Sequence, residues 1–576
     1  MARIRRIEIW NFRSIQALDW SPSAGINCLI GPGDSGKSSV LDAIDLCLGA
    51  RRSAPFGDTD FFRLNVEQPI VIALTLGALA DELKNLDAYG EFLRGYDPAT
   101  KLVEDEPRVG IETVITLRLR VTGDLEPSWT LFSERAEQQG LERGLTWKDR
   151  NSLAPARIGS YANTNLSWTR GSVLNRLTEE RANLGAELAR AAREARASFG
   201  NQAGVQLART IGVVNATAGS LGVPVGASAQ ALLDAHSVSI GDGAIALHNE
   251  VGVPLRSLGT GSARLLIAGL QRAAAEAATI ALVDEVEYGL EPHRLVRLLD
   301  SLGAKAPTLP LQVFMTTHSP VAIRELSGDQ VFVVRARGNQ HHVRAIGVAD
   351  DVQSTIRADP EAFLAKSVIV CEGASEVGFA RGLDQYWVSQ GAPSFFATGG
   401  AHVNVGGGDP DKCYSRGTAL LSLGYRVLVL VDADKTPRQQ SVETFFAAGG
   451  ATITWRPGRA LEDELFLSLH NDAVSGLVQR AVELVEADLV NAHIQSESQG
   501  RVTLNTAWAE GTTGGGYTTA TRTLLSLASR KGKNSWFKSV TKFEGVARDI
   551  VGPNLATSEL GFQTLVGQLR GWIHAA

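Results

Sequence analysis

Apolar and polar residues follow two rhythms along this chain, and the rhythm changes several times. Ile4-Arg5-Arg6-Ile7-Glu8-Ile9 is short and mixed, and Ile26-Asn27-Cys28-Leu29-Ile30 is an apolar run ending at a glycine; both predict strands. After a glycine-rich turn, Val40, Leu41, Ile44, Cys47 and Leu48 recur at helical spacing, which predicts an amphipathic helix from about Ser38 to Leu48. Alternating segments at 70–74 and 111–117 predict further strands, with a polar connection over 81–107 between them. From about 166 to 233 the chain turns rich in Ala, Arg, Glu and Leu, and 173–198 can hold a long charged helix. This stretch reads as a helical insertion, either a dimerisation arm or an ordinary helical subdomain.

Strands are predicted again at 238–240 and 244–247, then a helix over 262–278 and a strand over 279–283. A strand at 311–315 precedes a Thr-Thr-His turn. After about Asp359 a second α/β unit begins, with strands at 368–371 and 427–431, and the tail past Ser468 is mostly helical, interrupted by a glycine-rich, mobile loop at 510–516. Strands alternating with helices imply a largely parallel sheet, so the fold class is α/β.

A chain of 576 residues exceeds one compact domain, and about three domain-sized units are expected. Hydrophobic residues make up 44% and charged ones 20%, enough to build sizeable cores. The net charge of −6 argues neither for nor against nucleic acid, because a large enzyme can confine positive charge to one groove. Cys28, Cys47, Cys371 and Cys413 form no CxxC pair, so a zinc site or disulfide framework is not expected and a reducing compartment fits. Charges interrupt every apolar stretch of the N-terminus, and no run approaches the roughly 18 apolar residues that span a bilayer. A cytoplasmic protein with no membrane association is expected.

Gly31-Pro32-Gly33-Asp34-Ser35-Gly36-Lys37-Ser38 fits GxxxxGK[ST] between a predicted strand and a predicted helix, with Ser39 following. Glycines let backbone N–H groups curl around phosphates, and the helix N-terminus adds positive potential. Lys37 is expected at the β/γ-phosphates and the Ser38 hydroxyl on Mg²⁺, so ATP is the expected cofactor. The run 280–283 ends in Asp284-Glu285, where Asp284 is expected to hold the magnesium and Glu285 to polarise the attacking water.

Leu258-Gly259-Thr260-Gly261-Ser262 opens a helix about two dozen residues before Asp284, where ABC-type ATPases carry their signature. Gly259 stands where that signature has serine, so Thr260 or Ser262 must supply the hydroxyl. Thr316-Thr317-His318-Ser319-Pro320 resembles the switch-histidine turn, and Asn11-Phe12-Arg13-Ser14 resembles the start of RecF and SMC-type heads. One P-loop and one signature per chain imply a homodimer or higher homo-oligomer, each signature capping the other copy's nucleotide.

The second unit carries acids after its apolar strands. Val368-Ile369-Val370-Cys371-Glu372 is followed one helical turn later by Glu376, and about sixty residues on Val427-Leu428-Val429-Leu430-Val431 runs into Asp432-Ala433-Asp434. Side by side, those strands gather four carboxylates that cannot all stay ionised without cations. Hard divalent ions, Mg²⁺ or Mn²⁺ and two of them, are expected there in addition to the one with ATP.

A glutamate after one strand and DxD after the next is similar to the Toprim fold. The order P-loop head, helical insertion, signature, acidic strand, histidine turn and Toprim resembles the OLD (overcoming lysogenization defect) family, which includes the Gabija-type defence nuclease. The resemblance implies an ABC/RecF/SMC-like head over 1–165 and 236–355, a dimerisation insertion over 166–235, and a Toprim nuclease unit with helical additions over 356–576. It implies a metal-dependent DNA endonuclease or nickase with ATPase activity, in phage defence or DNA repair, DNA as partner, and a UvrD-like helicase as a candidate partner. It also points to Glu462 first and Glu464 second as ligands of the second metal, and to Lys533 first and Lys538 second as a catalytic lysine. The competing reading is a RecF/SMC-like DNA-binding ATPase whose Toprim unit holds DNA without cutting. His402, in the glycine-rich 399–409 segment, is expected to be structural.

Overall fold

The computed structural model describes residues 2–158, 246–273, 279–307, 309, 311–512, 515–532 and 534–575, and scattered parts of 159–245, among them 205–221 and 224–229. The expected strand 238–240, half of 244–247 and most of the 173–198 helix lie outside the described residues, as does Lys533.

Two sheets carry the fold. The strands of the first are β1 (Arg3–Phe12), β2 (Ile15–Trp20), β3 (Ile26–Ile30), β4 (Ile70–Gly77), β5 (Leu93–Asp97), β6 (Leu102–Glu104), β7 (Glu112–Val121), β8 (Pro127–Phe132), β9 (Ala156–Ile158), β10 (Ile280–Val283), β11 (Gln312–Thr316), β12 (Val331–Arg337) and β13 (Gln340–Ala345). Among the described residues they form one 13-stranded sheet, ordered β6-β5-β7-β4-β1-β2-β13-β12-β3-β11-β10-β9 with β8 on β7. One half is an antiparallel meander of β1, β2, β4, β5, β6, β7 and β8. In the other half β12, β3, β11, β10 and β9 run parallel. The second sheet holds β14 (Ser367–Cys371), β15 (Gly400–Asn404), β16 (Arg426–Val431) and β17 (Ala451–Thr454), all parallel, in the order β15-β14-β16-β17.

The parallel strands read as continuous apolar runs because both their faces are covered. Alternate residues enter different cores. Cys28, Ile30, Val313 and Met315 face one apolar cluster, and Leu29 and Phe314 face another. The second sheet repeats the pattern, with Val368, Val370, Val427 and Val429 on one side and Ile369, Cys371, Leu428 and Leu430 on the other. The cluster below β3 and β11 is the same one that receives Val368 and Val427, so the two sheets share a middle apolar layer through Ile356, Ala362 and Phe363. All four cysteines are buried and free.

Three expectations change. The connection over 81–107 is not merely polar: Leu93 and Tyr96 are buried, and 93–104 forms the β5–β6 hairpin against β7. The 510–516 loop begins inside the helix Leu504–Thr512, and the Glu510 carboxylate accepts from the Thr518 N–H at 2.7 Å and the Thr521 hydroxyl at 2.6 Å. The helix expected over 262–278 starts at Thr260 and is described to Ala273. Among the described residues no helix is long and apolar enough to cross a membrane.

Candidate functional site

The nucleotide loop lies between β3 and the helix Lys37–Leu48. Gly36 precedes the helix with φ 88°, a left-handed conformation that glycine adopts without a Cβ penalty. Lys37 folds back over its own loop, donating to the Gly31 and Pro32 carbonyls at 3.1 and 2.9 Å and to Ser35 Oγ at 3.4 Å. Burial holds its ammonium below the usual lysine range, against the upward pull of Asp34 and Asp284. Ser38 Oγ donates to Asp284 Oδ1 at 3.2 Å, so the P-loop serine and the acid after β10 meet as expected.

Asp284 Oδ1 also accepts from Thr316 Oγ1 at 2.6 Å, and Thr316 Oγ1 accepts from the Glu285 N–H at 2.8 Å. Glu285 sits at φ 45°, an uncommon conformation for a residue with a Cβ, with its side chain exposed. His318 is exposed, and its N–H donates to Glu287 Oε1 at 2.7 Å while Thr317 Oγ1 donates to Glu287 Oε2 at 2.7 Å. The Asn11-Phe12-Arg13-Ser14 segment is the turn between β1 and β2 and reaches the same place: Ser14 Oγ is 3.2 Å from Ser39 Oγ.

The Gly259–Ser262 segment starts its helix at Thr260. A Cβ on Gly261 would lie 2.4 Å from the Gly289 carbonyl oxygen, so only glycine permits that approach. Ser262 Oγ accepts from Arg294 at 3.1 Å. One residue of this helix had no sequence signal. Arg264 is fully buried, and its guanidinium donates to the carbonyls of Asp284 at 3.0 Å, Glu285 at 3.1 Å and Tyr288 at 2.7 Å. It ties the Gly259–Ser262 helix to the chain that carries the acids. Glu287 was likewise invisible in ordinary loop text, and Thr316 was read only as part of the histidine turn.

The second site is assembled from three segments. In the parallel pair β14–β16, Cys371 is in register with Leu430, so Glu372 and Asp432 leave neighbouring strand ends. The Asp432 N–H donates to Glu372 Oε2 at 3.2 Å. Asp432 Oδ1 in turn accepts from the Leu461 N–H at 3.0 Å, which brings the first turn of the helix Leu461–Ser468 onto the strand ends. Glu376 lies in the first turn of the helix Ala374–Ser389, its Oε2 accepting from the Gly373 N–H at 2.7 Å. Glu372, Glu376 and Glu462 are buried, Asp432 is half-buried and Asp434 is exposed.

These carboxylates disturb one another. Asp432 is pushed well above its ordinary range by burial and by the charges of Glu376, Glu462, Glu372 and Asp434. Burial, with Glu462 and Glu372, raises Glu376; burial raises Glu372, with Asp434 and Asp409 adding to it. Glu462 is raised by burial and relieved by Arg530 and Lys538. Lys538 therefore stands within electrostatic reach of Glu462. Among the described residues no three His, Cys, Asp or Glu side chains close onto one point at ligand distance, so the acids are neighbours rather than a finished cage. The donor set, carboxylate oxygen throughout, fits a hard divalent cation.

Glu464 does not belong to this group. Its carboxylate, fully buried, takes Arg456 Nε at 2.8 Å, Arg459 at 3.4 Å and Ser468 Oγ at 3.1 Å. Residues two apart on a helix point about 200° away from each other, so Glu462 and Glu464 cannot serve one site. The expectation of Glu464 as a ligand is corrected accordingly.

The chain matches the family model described as "AAA domain, putative AbiEii toxin, Type IV TA system" over residues 26–324. It is similar to the DNA replication and repair protein RecF of Prosthecochloris aestuarii, 49% identical over 45 residues, 8% of this chain and 12% of the relative. RecF of Vibrio vulnificus is 40% identical over 90 residues, 16% of this chain and 20% of the relative. The chain thus spans an eighth to a fifth of the length of these relatives. Among solved structures, RecF–ATP of the RecFOR pathway aligns with TM-score 0.32 and 13% identity, over 60% of this chain and 99% of that one. The SMC head domain from Thermotoga maritima aligns with TM-score 0.29 and 14% identity, over 60% of this chain and 100% of that one. With a P-loop, an acid and a serine already in contact, and a family match over more than half of its 576 residues, the chain belongs to this AAA domain family and is an ATP-binding ATPase.

Proposed function

We propose that this protein is an ATP-controlled, divalent-metal-dependent DNA endonuclease that nicks DNA, built as a split head (1–165 and 236–355), a dimerising insertion (166–235) and a Toprim-like nuclease unit (356–576). The observation that carries this reading is that β14 and β16 end side by side in Glu372 and Asp432, and that Asp432 holds the start of the helix that carries Glu462.

In the head, Lys37 and the Gly31–Ser39 loop hold the phosphates, Ser38 and Asp284 hold Mg²⁺, Glu285 orients water, and His318 faces the γ-phosphate. Gly259, Thr260, Gly261 and Ser262 cap the nucleotide of a second copy. In the nuclease unit, Glu372, Glu376, Asp432, Asp434 and Glu462 would hold two Mg²⁺ or Mn²⁺ ions. Such ions neutralise the clustered acids and supply an activated water and stabilisation of the leaving oxygen. Lys538, or Lys533, steadies negative charge on the phosphate. The short likeness to proteins named for DNA replication and repair supports DNA as the substrate. A UvrD-like helicase partner, a cytoplasmic location and a role in defence against phage belong to the same proposal.

Plasmid nicking in Mn²⁺ tests it. Wild-type protein converts supercoiled to open-circular DNA, and Glu372→Ala abolishes this; equal nicking by both proteins defeats the reading. Repeating the assay with ATP and with a non-hydrolysable analogue tests control by nucleotide, which indifference to both would refute. One competing reading is a DNA-binding ATPase that grips without cutting. Under that reading wild-type protein retains DNA on filters but leaves plasmid intact in every metal.

A further inference from the structure

Glu462, Asp463 and Glu464 are consecutive acids on one helix, and each takes a different direction. The Glu462 charge acts on Asp432 and Glu376, while the Glu464 carboxylate is held by Arg456 and Arg459. Asp463, between them, is buried; its charge adds to the rise of Glu462, but its hydrogen bonds run elsewhere. Its Oδ2 accepts from the Ala460 N–H at 2.9 Å, which satisfies a free donor at the helix start. Its Oδ1 accepts from Arg530 at 2.9 Å and from Ser526 Oγ. Ser526 lies in the helix Thr519–Ser529 and Arg530 is that helix's C-cap, four residues apart and therefore on one face. One carboxylate thus pins the start of one helix and clamps the end of another to it.

Two backbone N–H groups at this helix start are held by acids from different places. Ala460 N–H is held by Asp463, and the next, Leu461 N–H, by Asp432. Rotation of the helix about its axis is fixed by that pair together with the Arg530 contact. A turn of about 100° would bring Asp463 rather than Glu462 to the strand ends.

We infer that Asp463 is a positioning residue for the carboxylate cluster: by holding Ala460, Ser526 and Arg530 it sets the helix rotation that aims Glu462 at Asp432, and it seats Arg530 beside Glu462. This rests on the metal-site reading given above. Acids that orient ligands without touching the metal commonly change metal affinity by about 10- to 100-fold when removed.

The test is equilibrium Mn²⁺ binding to the full-length protein, read from the electron paramagnetic resonance signal of free Mn²⁺. Nucleotide is omitted, and ATP hydrolysis in a separate assay reports folding. Asp463→Asn is expected to raise the Mn²⁺ dissociation constant about 10- to 100-fold with ATP hydrolysis unchanged. Ser526→Ala, which keeps every charge and drops one bond, raises it by a smaller factor and keeps the comparison open should the asparagine variant fold poorly. The decisive measurement is the pair: Glu462→Gln with Asp463→Asn should bind no more weakly than Glu462→Gln alone, since Asp463 acts only through Glu462. Losses that add in the double variant, or isotherms for both Asp463→Asn and Ser526→Ala that match wild type, overturn the inference and leave the metal site standing. Wild-type protein with no saturable Mn²⁺ binding that Glu372→Gln removes overturns the metal site itself, and this inference with it.

Discussion

The nucleotide loop and the carboxylate cluster both bring charged side chains to the ends of parallel strands, yet they solve the problem of charge in opposite ways. Around the nucleotide loop the charges are already satisfied. Lys37 is wrapped by its own loop carbonyls, and Asp284 accepts two hydroxyls. In the cluster, acids face acids, offset by Arg530 and Lys538 at Glu462 and by Lys435 at Glu372. A pre-satisfied site can stay rigid without its ligand, whereas a frustrated one stores unfavourable charge that a cation relieves. The first is organised by the fold; the second is, on the proposed reading, where a divalent cation would offset the charge.

This contrast can be broken most directly by separating the two sites. Glu372→Ala is expected to lower nicking by about 10³-fold, as loss of a group that acts on the transition state does, with ATP hydrolysis retained; gel assays of both activities on one preparation check it. Lys37→Ala should do the reverse for the head: ATP hydrolysis falls to background while Mn²⁺ binding to the cluster is unchanged, measured by calorimetric titration. If Lys37→Ala also abolishes Mn²⁺ binding, the two sites are not independently organised.

Replacing Arg264 by methionine probes the satisfied side. Three partly buried carbonyls lose their donor, at a cost of at most about 1–3 kcal/mol each. The melting temperature should fall and ATP hydrolysis with it, while Glu464→Gln, which breaks a buried ion pair at a cost of about 3–5 kcal/mol, should lower melting temperature without altering Mn²⁺ affinity.

The smallest expected effect concerns pH. Carboxylates raised in the folded state favour folding while protonated, and that contribution fades as pH rises from the ordinary carboxylate range toward about 9 for Asp432. Mn²⁺ restores what ionisation removes, so its increment in melting temperature should be larger near pH 8.5 than near pH 5.5. Equal increments at both would mean that the acids are not frustrated in solution.

How much of this was legible depended on whether a signal was contiguous. Gly31–Ser39 is one unbroken segment whose spacing is its chemistry, and the loop stands between the strand and helix read from the pattern. The acids of the second site are spread over ninety residues, yet Glu372 and Asp432 were readable because each ends an apolar run. Glu462 and Glu464 were not separable without knowing which helix face meets the strand ends, although helical geometry alone excludes both acting together. Arg264, Glu287 and Asp463 stood out by no motif, because the contacts that place them reach partners 20 to 67 residues away, and Thr316 was legible only as part of the histidine turn. The β5–β6 hairpin was hidden because its apolar residues are few and its turn is polar.

The apolar layer shared by the two sheets has a consequence for taking the protein apart. Ile356, Ala362 and Phe363 belong to the same apolar cluster as Met315 of the first sheet and Val368 of the second. Excising either half would leave that layer facing water, and contiguous exposed apolar surface of this kind drives aggregation. Calorimetry on the intact chain should then record both sheets melting in one transition, and fragments cut near residue 358 should be recovered only when co-expressed.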